Sequence, residues 1–250
     1  MSEILEVGSY LTKRHTDTNL IKSKMLELEA LILKKKFTVS EEKTILSYEK
    51  VKNSLPLLQQ TYETFETDLE QEFVNNFLKG IKKLKDYLLY TRFVKLIKNE
   101  INLAKISEKD SFLFIGSGPL PITAILLNMF TKCSVDCYDK NKISVKLSER
   151  VIEKLNLSNK IKIYNKKGEN LSENKYSVIV IALLAKPKDK ILHKVWNESI
   201  KGTRIICRTS DGVREVFYER TNPGLLSEYL PLKKIFAKND QTISSVLLIK

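Results

Sequence analysis

The sequence predicts an α/β chain in which an all-helical segment precedes a parallel, doubly wound sheet that ends in an antiparallel hairpin. Three observations predict it. From Ser111 onward, short apolar β-like runs alternate with stretches of helical periodicity. Before that point the periodicity is helical alone, with one proline (Pro56) and two glycines (Gly8 and Gly80) in about 108 residues. At the boundary, the apolar run Phe112-Leu113-Phe114-Ile115 stops at Gly116-Ser117-Gly118 and gives way to a helical pattern at Ile122, Ile125, Leu126, Met129 and Phe130. Strand, glycine turn, helix is the opening of a nucleotide-binding βαβ unit.

In the first half, Ile21, Met25, Leu28, Leu31 and Ile32 recur at helical spacing, and so do Phe73, Phe77, Ile81, Leu84 and Leu88. Five or so helices are expected. Ser40-Glu41-Glu42-Lys43 reads as a helix start with a capping residue and acids in the first turn. Pro56 reads as a helix start or a kink. Asn102 to Asp110 is the expected junction, giving a helical domain at 1–108 and a sheet domain at 109–250. Strands are predicted at Phe112–Ile115, Ser134–Tyr138, Ile161–Tyr164, Ser177–Ala182 and Thr203–Arg208, and helices at Pro121–Phe130, Lys142–Leu155, Asp189–Trp196 and Gly224–Tyr229. Lys233–Ala237 and Ile243–Ile249 lie close enough to pair as a hairpin. Strands separated by helices argue for a parallel sheet. Five of them followed by a hairpin is the Rossmann-like layout of class I S-adenosylmethionine-dependent transferases.

Composition narrows the function classes. A chain of 250 residues with 42% hydrophobic and 29% charged residues is long enough for a real core and ordinary for a globular protein. No apolar run approaches the roughly 20 residues of a membrane span, so no membrane partner is expected. The N-terminus, Met-Ser-Glu-Ile-Leu-Glu, lacks a signal-peptide layout, which predicts a cytoplasmic location. Cys133, Cys137 and Cys207 lack paired spacing, and with two histidines they make no metal site; buried free thiols are expected. The net charge of +13 raises the question of nucleic acid. Lysines supply most of it and are scattered, as in Lys34-Lys35-Lys36 and Lys82-Lys83, with no aromatic-interleaved stripe. A solvated surface is favoured over a nucleic-acid partner. A homodimer is compatible with the sequence, which does not fix the oligomeric state.

The site is expected around the glycine turn. Gly116 and Gly118 let the backbone turn sharply and leave no Cβ against a ligand, and the helix N-terminus beyond favours electron-rich atoms. A structural tight turn is the alternative. Asp139, at the end of the second strand and about 20 residues on, can accept from the two ribose hydroxyls of a nucleoside; otherwise it caps the helix near Lys142. Lys167-Gly168-Glu169-Asn170 is a candidate adenine-edge loop. The fourth strand ends in Ala182-Leu183, whereas base-modifying amino-methyltransferases place Asp or Asn there, followed by Pro-Pro and an aromatic. This argues against base methylation.

Gly116-Ser117-Gly118-Pro119-Leu120-Pro121 resembles the Gly-Ser-Gly-Pro-Leu-Pro signature of nicotianamine synthases. Arg208-Thr209-Ser210-Asp211-Gly212-Val213-Arg214, followed by Phe217-Tyr218, is similar to that family's Arg-Ser-x-x-Gly-x-Arg segment, and Ile181-Ala182-Leu183-Leu184 to its Leu-Ala-Ala-Leu. Glu66-Thr67-Asp68-Leu69-Glu70-Gln71-Glu72-Phe73 is similar to its Glu-x-x-Leu-Glu-Gln-x-Phe, and Tyr90 to Leu96, with Glu100 beyond, to its Tyr-x-x-Tyr-x-Lys-Leu. The resemblance covers roughly residues 60 to 250. Phe93 replaces a tyrosine, Glu219 stands where plant members carry proline, and Asp211 where they have histidine. The Asp-Gly pair at 211–212 is closer to bacterial relatives that make opine-type metallophores from histidine.

The resemblance implies that S-adenosylmethionine is a co-substrate, attacked at the methionine Cγ by an acceptor amine that takes the 3-amino-3-carboxypropyl (aminobutanoate) group. Methylthioadenosine leaves, and the product is a metal chelator; the chain itself is expected to bind no metal. The acceptor is a glutamate-, histidine- or nicotianamine-like amine. Gly116, Ser117, Gly118, Pro119, Asp139, Lys140, Gly168 and Ala182 are the implied cofactor-binding residues. Glu66 is the implied base, Glu70 lies one turn along the same helix face, and Tyr90 orients the amine. A solvated acidic helix is the alternative for the two glutamates. Arg208, with Asp211 and Arg214, is implied in substrate binding, Arg208 through its planar fork; a surface ion pair is the alternative for Arg208. The runner-up function is a small-molecule or RNA methyltransferase, and a third is a binding protein that kept the nucleoside pocket.

Overall fold

A computed structural model describes residue 7 and residues 18–171, 175–227, 229 and 232–250. The helical expectation for most of residues 1–17, and one position (228) of the helix expected at Gly224–Tyr229, lie outside them. The helical segment consists of α1 (Thr18–Lys34), α2 (Val39–Ser47), α3 (Glu49–Leu78), a 3₁₀ turn (Leu84–Asp86) and α4 (Tyr90–Ala104). Its helices bury Met25, Leu28 and Ile32 from α1 and Phe73 and Phe77 from α3, at the spacing that predicted them, and also Tyr62 and Phe65 of α3.

Three local expectations are corrected. The cap of α2 is Thr38, not Ser40: Thr38 and Glu41 form a reciprocal capping box. Pro56 lies inside α3 rather than at its start; it is exposed, so the Lys52 carbonyl it leaves without a helical partner can be solvated. The periodicity from Phe73 overruns the true end of α3. Gly80 adopts φ +79° and closes the helix with the Gly80 N–H on Phe77 O (2.9 Å) and the Ile81 N–H on Asn76 O (3.0 Å), which leaves Ile81 and Leu88 exposed.

The sheet follows as β1 (Ser111–Ile115), β2 (Ser134–Asp139), β3 (Ile161–Asn165), β4 (Val178–Ile181), β5 (Arg204–Thr209), β6 (Leu232–Ile235) and β7 (Ser244–Ile249). The order is β3-β2-β1-β4-β5-β7-β6. The first five strands are parallel, and β7 pairs antiparallel with both β5 and β6. Between them run α5 (Ile122–Thr131), α6 (Lys142–Lys154), α7 (Lys188–Glu198) and the short α8 (Pro223–Ser227). This is the predicted class I S-adenosylmethionine-dependent transferase layout, with each strand within one or two residues of its expected place. β1 and β4 are central and buried on both faces, which is why they read as unbroken apolar runs. One cluster of buried apolar side chains runs from α1 and α3 through α4 into the sheet. Among the described residues no helix is long and apolar enough to cross a membrane. Cys133, Cys137 and Cys207 are free and buried.

Candidate active site

The strand order reverses between β1 and β4, and a cavity of about 250 Å³ opens there, at the carboxyl ends of the strands. Its floor is the glycine turn. Gly116 (φ +84°) and Gly118 (φ +67°) occupy backbone conformations that side chains strain to adopt. A Cβ on Gly116 would stand 3.1 Å from the Cβ atoms of Ala182 and Ala185, so the turn is packed directly on the end of β4. The Ser117 Oγ is buried and, among the described residues, has no hydrogen-bond partner.

Asp139, the last residue of β2, fixes this turn from one side. Its carboxylate accepts the Gly118 N–H at 2.8 Å and the Asn141 N–H at 2.8 Å. Two of the roughly four acceptor directions of a carboxylate are thereby used and the others remain. The residue that caps α6 is Asn141, whose side chain accepts from the Ile143 and Ser144 N–H groups, so capping does not account for Asp139. Gly116, Ser117, Gly118, Pro119, Asp139, Lys140, Gly168 and Ala182 all line the one cavity. Gly168 is held tight: a Cβ there would lie 2.6 Å from Ile115 Cγ2.

The opposite wall comes from the helical segment. Glu63, Glu66, Thr67 and Glu70 of α3 line the cavity at helical spacing. Glu66 and Glu70 are half-buried and line the cavity. Burial raises the Glu66 carboxyl to about 7 against the bond it accepts from the Tyr218 hydroxyl (2.6 Å), with Glu29 and Glu63 raising it further and Arg92 lowering it. Burial also pushes Glu70 well up, reinforced by the charges of Glu66 and Asp139 and opposed by the Leu120 N–H that it accepts. Glu70 Oε2 lies 2.8 Å from where a Cβ on Gly118 would be, so the two halves of the chain touch across the site. At the rim, Lys186 pairs with Glu63 at 2.7 Å.

Four expected residues have places or partners other than those expected. Tyr90 does not line the cavity; it is half-buried at the start of α4 and packs on the core. The phenol that reaches Glu66 belongs to Tyr218. Arg208 does face the cavity, but its fork is closed on Glu100 by two bonds of 2.9 Å, with a third to Thr123 Oγ1 at 3.1 Å. Glu100 also accepts from Ser245 at 2.7 Å. Arg208 therefore joins β5 to α4, its Nε and both Nη atoms each engaged within the protein, and the pair is buried rather than on the surface. Asp211 is taken by Lys234 at 2.5 Å, and Arg214 donates to the backbone carbonyls of Gln241 and Asn239. Neither lines the cavity; both brace the Gly212–Val216 turn against the hairpin.

Sequence reasoning missed Tyr218 as a site residue, although it sits in the Phe217-Tyr218 segment that carried part of the resemblance. It also missed Lys188, whose buried ammonium donates to the carbonyls of Ala182 (2.8 Å), Leu183 (2.6 Å) and Arg208 (3.1 Å) and so ties the ends of β4 and β5 together. Burial lowers its titration to about 8. A lone lysine gives no such signal in sequence. Among the described residues no group of three or more His, Cys, Asp or Glu side chains is arranged to hold a metal ion.

Known proteins resemble this chain in sequence and in fold. Over 150 residues, 60% of its length, the chain is 26% identical to an L-histidine 2-aminobutanoyltransferase of Yersinia pestis. It spans 56%, just over half, of that curated relative. The structure of a Glu-to-Gln variant of MtNAS in complex with S-adenosylmethionine matches all of this chain and 97% of its own, with a TM-score of 0.89 and 23% identity. MtNAS in complex with MTA and tNA matches over the same shares, with a TM-score of 0.86 and 23% identity. The family model described as nicotianamine synthase protein matches residues 11–250, and the chain belongs to that family.

Proposed function

We propose that this protein transfers the 3-amino-3-carboxypropyl group of S-adenosylmethionine to the amine of an amino-acid-type acceptor, releasing methylthioadenosine and building a nicotianamine-like chelator. The observation that carries the reading is Glu66, a half-buried carboxylate held near 7 in the wall opposite the glycine turn. An acceptor amine is mostly protonated at neutral pH, so a base of this kind is what the chemistry requires. A methyl transfer to the same amine would need the base as well, so the nucleoside released, not the base, separates the two reactions.

The cavity suits the co-substrate on its own terms. Two glycines at positive φ bring backbone close to a ligand, the Ser117 hydroxyl is buried and unpaired among the described residues, and Asp139 keeps acceptor capacity for ribose hydroxyls. What the co-substrate supplies is a sulfonium with three electrophilic neighbouring carbons. The protein decides by orientation which of them meets the nucleophile. A carbon–nitrogen bond forms at Cγ, the carbon–sulfur bond breaks with its electron pair going to sulfur, and Glu66 takes the proton from the amine. Glu70 supplies negative charge beside Gly118.

Residues 1–108 act as lid and acceptor side over a cofactor-binding unit of 109–250, because α3 provides the carboxylate wall. The relative from Yersinia pestis, named for L-histidine, supports a histidine-type acceptor. Pure protein incubated with S-adenosylmethionine and L-histidine, L-glutamate or nicotianamine, followed by mass spectrometry of the released nucleoside, tests the reading. Methylthioadenosine and an acceptor heavier by one aminobutanoate unit are expected. S-adenosylhomocysteine would make the protein a methyltransferase and remove the role given to Glu66.

A further inference from the structure

A buried phenol, Tyr87, stands just before α4 within electrostatic reach of three carboxylates, Glu29 from α1 and Glu66 and Glu70 from α3. The Tyr87 ring is wedged against Phe73 (5.1 Å between centroids) and Phe93 (6.3 Å), and 3% of the residue is exposed. Its hydroxyl has no hydrogen-bond partner among the described residues. Buried polar atoms are nearly always paired, so an orphan of this kind needs an explanation. Its charged neighbours are Glu70 first, then Glu66, Arg92 and Glu29. Two of the three carboxylates already hold side-chain donors. Glu29 accepts from both arms of Arg92 at 2.7 Å and from the Tyr62 hydroxyl, and Glu66 accepts from Tyr218. Glu70 accepts the Leu120 N–H and, among the described residues, no side-chain donor.

We infer that Tyr87 is a positioning residue whose hydroxyl donates to Glu70 when that carboxylate ionises, and so sets the pH above which the cavity takes a sulfonium cation. The inference rests on the function proposed above and assigns the second carboxylate of its site. A protonated Glu70 does not need the bond. An ionised one, crowded by the charges of Glu66 and Asp139, does. A cation in the cavity favours ionisation, and the phenol then has its partner.

Binding of S-adenosylmethionine, measured by calorimetry from pH 6 to 9 in buffers of different ionisation heat, tests this on the wild type, Tyr87→Phe and Glu70→Gln. Titration of the ligand itself is common to all three. The wild type should release a proton on binding and bind more tightly as pH rises through a midpoint. Tyr87→Phe should move that midpoint up by about one pH unit, with about tenfold weaker binding below it. Its melting temperature without ligand should be unchanged or higher, because an unpaired buried hydroxyl has been removed. Glu70→Gln should lose the proton release. An unmoved midpoint in Tyr87→Phe, or a loss of affinity equal at every pH with a lower melting temperature, would overturn the inference. No binding by the wild type at any pH would overturn it together with the proposed function, whereas pH-independent binding overturns the inference alone.

Discussion

A Glu66→Gln variant keeps the shape of the side chain and an oxygen to accept the Tyr218 hydroxyl, and removes the titration. Its effect on stability has a sign that follows from the folded protein's raised carboxyl. Below pH 4.5 Glu66 is protonated in both the folded and the unfolded chain, and the folded state holds its full stability. Between 4.5 and about 7 the unfolded chain ionises first, so stability falls, and above about 7 the loss is complete. Holding a carboxyl that ordinarily titrates at 4.5 up to about 7 corresponds to roughly 3 kcal/mol at most. Part of Glu66 faces the cavity, where water screens the charge, so about 2 kcal/mol is the expected figure. The variant should match the wild type near pH 4.5 and exceed it by that amount at pH 8, a rise of about 5 °C in melting temperature for a chain of this size. Turnover should fall by about a hundredfold or more at the same time. Thermal or urea unfolding of both proteins from pH 4.5 to 8 is the assay. A stability difference that does not change with pH, or a variant less stable at pH 8, would refute the reasoning.

Gly118→Ala places a Cβ at φ +67° and 2.8 Å from Glu70 Oε2. The backbone strain is about 1 kcal/mol, and the displaced carboxylate should weaken S-adenosylmethionine binding about tenfold by calorimetry while the protein stays folded. Arg208→Met leaves Glu100 buried without its cation and should lower unfolding free energy by about 3–5 kcal/mol in urea. Turnover per folded molecule should survive; a collapse of kcat/KM at unchanged stability would instead restore Arg208 as a substrate ligand.

The sheet was legible because its strands announce themselves locally. Val178-Ile179-Val180-Ile181 lies between β1 and β5 and is buried throughout, so nothing polar interrupts it. Gly116 and Gly118 were legible because a turn at positive φ excludes almost every other residue. Asp139 was legible from its distance along the chain to that turn. The errors share a cause. Arg208 carries the right group at the right strand end, but whether its fork is free depends on Glu100, more than a hundred residues earlier, and on Ser245 in the last strand. Tyr90 and Tyr218 are equivalent as phenols in sequence. Which one reaches Glu66 is decided by how the Gly212–Val216 turn packs on α3, and periodicity along one element carries no information about that. Pro56 allowed a start or a kink, and only the start is excluded: its exposed position inside α3 lets water take the Lys52 carbonyl left without a helical bond.

The contact between Gly118 and Glu70 bears on whether the helical and sheet halves are separate units. In a dinucleotide-binding turn the missing Cβ makes room for a ligand; here that space lies against a carboxylate from α3. The buried pair of Arg208 and Glu100 crosses the same boundary, as does the bond from Arg204 to the Ala104 carbonyl (2.7 Å). Ile97 and Ala104 of α4 belong to the same apolar cluster as the strands. A fragment of residues 109–250 would keep every strand and the whole glycine turn, yet it would expose the surface under α4 and leave Arg208 buried with no carboxylate. We expect it to lack a cooperative unfolding transition by circular dichroism and to bind no S-adenosylmethionine, although all the residues implied in cofactor binding are present in it. A fragment that melts cooperatively and binds the nucleoside would show that the carboxylate wall is an addition to a self-sufficient sheet, and that Glu66 and Glu70 serve only the chemistry.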